Sequence, residues 1–121
     1  MKRTLILGAA TLFIHIGFCT AADNPPAPKP GVYGCYGQYG PTPAMMFGLL
    51  NATRYSDFDG KTGQYKYDSD KAILTMTDGP MKNARYKQTI PGVFRLLNSK
   101  GELTAYNCPL EKAKDPNKRP W

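Results

Sequence analysis

Residues 63–80, GQYKYDSDKAILTMTDGP, decide the fold. From Gln64 to Asp68 tyrosine alternates with polar residues, so Tyr65 and Tyr67 share one face of a strand while Gln64, Lys66 and Asp68 share the other. Two tyrosines two positions apart cannot share a helical face. Residues 72–77 are apolar and β-branched, which suits a pleated, half-buried surface. Between the two runs, Asp68-Ser69-Asp70 supplies side chains that bond nearby amides in a turn. Asp78-Gly79-Pro80 closes the pair, because Pro80 withholds an amide from any ladder. The stretch predicts a β-hairpin.

The pattern extends in both directions. Residues 84–89 alternate, with Arg85 and Lys87 on one face and Ala84 and Tyr86 on the other. Pro91-Gly92 turns the chain into a strand at residues 93–97, and the polar turn at residues 98–101 leads to a last strand at 103–108. Upstream, residues 53–58 run into the Asp59-Gly60 turn. Residues 31–39 form a first strand weakened by three glycines, and residues 40–43 a rigid loop. Residues 44–50, AMMFGLL, fit either a helical turn or a buried strand, with strand expected from Phe47. Met45 and Met46 are core filler or an adaptable binding surface. About seven or eight short strands with turn signals every 8–12 residues predict an all-β fold, a small antiparallel barrel or sandwich.

The amino terminus reads separately. Met1-Lys2-Arg3 is a short basic start, residues 4–18 are largely apolar, and Cys19-Thr20-Ala21-Ala22 offers small residues for cleavage. Residues 1–22 therefore read as a secretory signal peptide. Their apolar run is short of the roughly 20 residues a membrane span needs. Residues 23–30, DNPPAPKP, form a proline-rich leader that favours extended backbone. The barrel domain is expected over residues 31–108, and a basic, proline-containing tail over 109–121.

Removing the signal changes the chemistry. His15 and Cys19 lie inside it, so the mature chain has no histidine and keeps Cys35 and Cys108. An even cysteine pair in an exported chain reads as a disulfide, in a periplasmic or extracellular setting. It joins the first strand to the last, which favours a sheet whose ends meet. The long loop it closes is worth roughly 4 kcal/mol in the chain-entropy account. The chain carries 16 Lys+Arg against nine Asp+Glu; without Lys2 and Arg3 the balance is 14 − 9 = +5. That charge serves solubility, or attracts anionic partners.

Catalytic residue types are scarce. Without histidine, Ser-His, Cys-His and histidine–metal arrangements have no base or ligand. A carboxylate pair such as Asp57 with Asp68 is the one hydrolytic arrangement left. Asp57-Phe58-Asp59-Gly60 has the outline of a calcium loop, but Phe58 and Lys61 interrupt the ligand spacing and the closing glutamate is absent, so it reads as an Asp-Gly turn. No cofactor and no metal are expected. Eight tyrosines are many for a chain this short. Tyr65 and Tyr67 with Arg85 and Lys87 are the candidate binding face, able to stack rings and attract acids. The alternative is that tyrosines bridge the core to its wet rim.

Tyr33-x-Cys35, Ala84-Arg85-Tyr86 and Asn107-Cys108 resemble positions of the periplasmic inhibitors of C-type lysozyme. The resemblance implies a small exported barrel tied by a disulfide between its end strands. That family's serine-glycine loop is not matched; the nearest segment is Asp78-Gly79-Pro80-Met81, and no inhibitory residue carries over. The expected function is a monomeric, exported, non-enzymatic binding protein of unknown ligand, without specific nucleic-acid recognition and not membrane-spanning once the signal is removed. The alternatives are an inhibitor of a secreted lysozyme- or protease-type hydrolase, with residues 77–83 entering its cleft, and a basic binder of anionic polysaccharide or membrane surface.

Overall fold

The computed structural model describes residues 25–121, so the expected signal at 1–22 and the first two leader residues lie outside the described residues. Ten strands follow one another: β1 (Gly31–Tyr33), β2 (Tyr36–Gly37), β3 (Gly40–Pro41), β4 (Phe47–Leu49), β5 (Arg54–Asp57), β6 (Thr62–Asp68), β7 (Ile73–Met76), β8 (Arg85–Ile90), β9 (Val93–Leu97) and β10 (Leu103–Glu111). A 3-10 turn at Pro43–Met45 precedes β4, so residues 44–50 contain both the helical turn and the strand. The 63–80 hairpin forms as β6 and β7, with Tyr65 opposite Met76 and Tyr67 opposite Leu74.

Every pairing is antiparallel. The order β1-β4-β5-β6-β7-β8-β9-β10 returns to β1, which pairs with β4 on one side and β10 on the other. Eight strands thus close a barrel, and a sandwich is ruled out. β2 and β3 lie outside this ring as a hairpin attached to β10. Among the described residues no helix is long and apolar enough to cross a membrane.

Aromatic rings fill the barrel. Tyr33, Phe47, Tyr55, Tyr86 and Phe94 are fully buried, with Leu49, Leu74 and Met76 between them. Phe47 stacks on Tyr33 at 5.1 Å and meets Tyr86 at 4.6 Å between ring centroids, while Phe94 stands edge-on to Tyr33 at 5.3 Å. These are favourable geometries for ring quadrupoles, and they leave the middle of the barrel solid. Each buried phenol needs a hydrogen-bond acceptor and finds one in a loop carbonyl at an end of the barrel. Tyr33 donates to Lys29 O (2.7 Å) and Tyr65 to Asn51 O (2.6 Å). Tyr55 donates to Asp78 O (2.7 Å) and Tyr86 to Met45 O (2.8 Å). Burial pushes the Tyr33 phenol up to about 12 and raises Tyr86 as well. These tyrosines bridge the core to the wet rim of the barrel.

The disulfide follows from register. Val32 faces Glu111, Tyr33 faces Leu110, and Tyr36 faces Asn107, so β1 and β2 run along β10 in one continuous register. Gly34 N donates to Pro109 O across the gap (3.1 Å). That register sets Cys35 directly opposite Cys108, and the two are bonded with Cα atoms 4.0 Å apart across a sequence separation of 73. Such a bond persists in an oxidising compartment.

Three segments differ from expectation. The glycine-rich first strand is broken at residues 34–35, and Gly40-Pro41, expected as loop, pairs as β3. The last strand runs beyond Cys108 to Glu111 because Leu110 and Glu111 still have β1 to pair with. Leader and tail both lie on the barrel. Gln88, buried on β8, donates to Pro26 O (2.8 Å) and Tyr67 Oη (2.9 Å) while its own carbonyl accepts from Gly92 N (2.9 Å). In the tail, the Trp121 ring lies over Gly48, where a Cβ would stand 2.7 Å from it. Arg119 sits 4.2 Å above the Trp121 ring and donates to Phe58 O, Asp57 O and Ser56 Oγ.

Candidate functional site

The four residues of the expected binding face do not share a surface. Tyr65 is buried and Tyr67 half-buried, both facing inward, because inward positions on β6 are the odd ones from Gly63. Arg85 and Lys87 flank the buried Tyr86 on β8 and face outward. The alternation on each strand was legible; which face of β6 would meet the outer face of β8 was not.

Asp57 and Asp68 are also separated. They lie at opposite ends of the barrel, roughly 20 Å apart along β6. Each is absorbed by its own turn. Asp57 Oδ1 accepts from Asp59 N (3.0 Å) and Lys61 N (2.8 Å), and Asp68 Oδ1 from Asp70 N (3.0 Å) and Lys71 N (3.3 Å). The carbonyl oxygens of Asp57 and Phe58, which a cation would want, accept from the Arg119 guanidinium instead. Among the described residues no group of three or more His, Cys, Asp or Glu is gathered.

The feature that stands apart from the barrel is the β2–β3 hairpin. Tyr36 pairs with Pro41 and Gly37 with Gly40, which leaves Gln38 and Tyr39 as a two-residue tip. Tyr39 is 94% exposed and Tyr36 38%. The base is held from several sides. Thr42 bonds Cys35 O through both its amide (2.8 Å) and its hydroxyl (3.0 Å), and Cys35 is the disulfide residue. Tyr36 Oη donates to Glu111 Oε2 (2.5 Å), and Glu111 pairs with Lys114 (2.7 Å). Gly37 lies so close to the Tyr106 ring that a Cβ would stand 2.7 Å from Cε1. A shallow cavity of about 200 Å³ lies at the root, between the hairpin and Tyr106.

The electrostatics of this base are consistent. Lys114 first, and Tyr36 second, hold the Glu111 carboxyl below its ordinary value. The bond to Glu111 raises both the Tyr36 phenol and the Lys114 ammonium. A charge-assisted bond of this kind is about twice as strong as a neutral one.

Neither Tyr36 nor Tyr39 was singled out in the sequence, where both belong to an interrupted strand. The signal was present in Gly37-Gln38-Tyr39-Gly40, a tyrosine bracketed by glycines and followed by Pro41 and Pro43. Gly40, just after the tip, takes a positive φ of 112°, which glycine adopts without a steric cost. Residues 77–83, the expected cleft-entering loop, are pinned instead: Tyr55 Oη donates to Asp78 O and accepts from Met81 N (2.9 Å). They border an open groove of about 690 Å³ floored by Met45, Ala84 and Leu96.

Compared with protein-family models, curated proteins and solved structures, the chain matches none.

Proposed function

We propose that this chain is an exported, non-enzymatic binding protein that engages a protein partner through the tip of its β2–β3 hairpin. The carrying observation is Tyr39, 94% exposed on a two-residue turn outside a closed barrel. Leaving an aromatic side chain in water gains nothing for folding. Tyrosine is enriched among the few interface residues that carry most binding energy. The brace of disulfide, Thr42 bonds and Glu111 bond fixes the hairpin beforehand, which reduces the ordering cost of association. The signal-like residues 1–22 and the disulfide support export.

A braced aromatic tip suits a concave partner, so we infer a secreted hydrolase of the lysozyme or protease type, whose cleft Tyr39 would enter. The test is inhibition of a panel of secreted lysozymes and proteases by the wild type and by Tyr39→Ala. One enzyme is expected to be inhibited by the wild type and released by the substitution, with the melting temperature unchanged. Inhibition equal in both proteins, or none across the panel, overturns the reading.

A further inference from the structure

We propose that Arg85, Lys87 and Arg95 form a binding site for an oxyanion (phosphate, sulfate or carboxylate) on the outer face of β8 and β9. The site is independent of the role given to the hairpin.

Register places the three cations together. Lys87 on β8 stands directly opposite Arg95 on β9. Directly opposed side chains have Cβ atoms about 4.5–5.5 Å apart, and diagonal ones about 7–8 Å, the relation of Arg85 to Arg95. Like charges in such positions repel, and a sheet normally avoids them. The carboxylate nearest in the bonding pattern, Glu102, accepts from Asn98 Nδ2 (2.9 Å) and bonds none of the three cations. The positions flanking the trio across the sheet are Ile73 opposite Lys87, Thr75 opposite Arg85 and Asn107 opposite Arg95. None of these carries a negative charge. Among the described residues, the one ion pair is Lys114–Glu111, elsewhere on the surface. Lys87 has no bonded partner among them, and Arg85 has a single 3.3 Å bond to Asn98 O.

Arg95 adds a second observation. Its Nε is shielded from solvent and has no acceptor among the described residues. Buried donors in folded proteins are nearly always satisfied by protein, ordered water or a bound group, and an anion drawn in by the neighbouring cations is one such partner. An oxyanion bridging Arg95 and Lys87 would relieve the repulsion and supply acceptors to three long side chains rooted on adjacent strands, with the Asn107 amide as a neutral donor beside them. The guanidinium fork favours a group with two oxygens in one plane.

The probe is pyrophosphate, with sulfate and citrate as further arms, titrated at low ionic strength into isotope-labelled full chain and followed by amide shifts. Saturable shifts centred on residues 85–87 and 95 are expected, and the anion that saturates first names the group. Lys87→Gln and Arg95→Gln should each weaken pyrophosphate about tenfold or more. Lys61→Gln removes the same charge from a distant turn and should leave the affinity unchanged. Lys87→Gln should also keep or raise the melting temperature, because it removes a repulsion. Shifts that do not saturate, equal losses from Lys61→Gln and Lys87→Gln, or a stability loss in Lys87→Gln would each overturn the proposal.

Discussion

The phenol of Tyr36 donates a 2.5 Å hydrogen bond to the carboxylate of Glu111, 75 residues further along the chain. It ties the base of the projecting hairpin to the end of the last barrel strand. Glu111 is held below its ordinary value of 4.5, so the native state binds its proton more weakly than the unfolded chain does. Its stabilising contribution is complete above that ordinary value and is lost as pH falls through the lowered one. Thermal melts across the acid range should show this loss, and Glu111→Gln should flatten that limb of the curve. Amide protection at residues 36–42, taken relative to the intrinsic exchange rate at each pH, should fall over the same window in the wild type and not in the variant.

The bond between Cys35 and Cys108 closes a sequence separation of 73. The chain-entropy account assigns such a closure about 4 kcal/mol. The paired substitution Cys35→Ala with Cys108→Ala should therefore lower the urea midpoint by an amount matching about 4 kcal/mol and steepen the slope, because the unfolded chain without its crosslink exposes more surface.

Tyr55→Phe removes one oxygen that serves two partners, the Asp78 carbonyl and the Met81 amide. The ring is buried, but its hydroxyl meets an exposed Asp78 and a half-buried Met81, so water replaces part of the lost bonding and the cost is about 0.5–1.5 kcal/mol. Chemical denaturation should show it, and residues 78–81 should exchange faster. Tyr39→Phe, at the exposed tip, should stay within about 0.5 kcal/mol of wild type.

Trp121 is the single tryptophan of the chain and reports on the docked tail. Its ring rests where a Cβ on residue 48 would fall 2.7 Å from it, with Pro116 beside it. Gly48→Ala should push the ring off β4 into water, shifting its fluorescence to the red and exposing residues 112–121 to proteases. Because Arg119 stacks on that ring and bonds the turn at residues 57–58, Arg119→Ala should give a smaller shift in the same direction.

Much of the barrel is legible in sequence because its cause is local. The Tyr65–Tyr67 alternation, the Asp-Gly turns and the strand at residues 93–97 each depend on a few neighbouring side chains, and all form. The cysteine pairing follows from elimination once residues 1–22 are set aside. Less legible are features set by distant strands. Gly40-Pro41 has poor strand propensity and pairs only because Gly37 is presented opposite it. Nothing around Lys87 announces that Arg95 will stand across from it, since a bulge between Gln88 and Ile90 intervenes in that pairing. The exposure of Tyr39 likewise depends on a closed ring that leaves its hairpin outside.

The ladder between β1 and β10 joins the beginning of the barrel to its end. A polypeptide made amino terminus first therefore presents Gly31–Tyr33 long before the strand that must cover it. Until Leu103–Glu111 emerges, two raw strand flanks, one on β1 and one on β9, stay open to any neighbouring chain. Closure is thus a late, long-range event, slow by its topology. The interval of danger is the time taken to make the residues between, which is when this chain is most open to pairing with another.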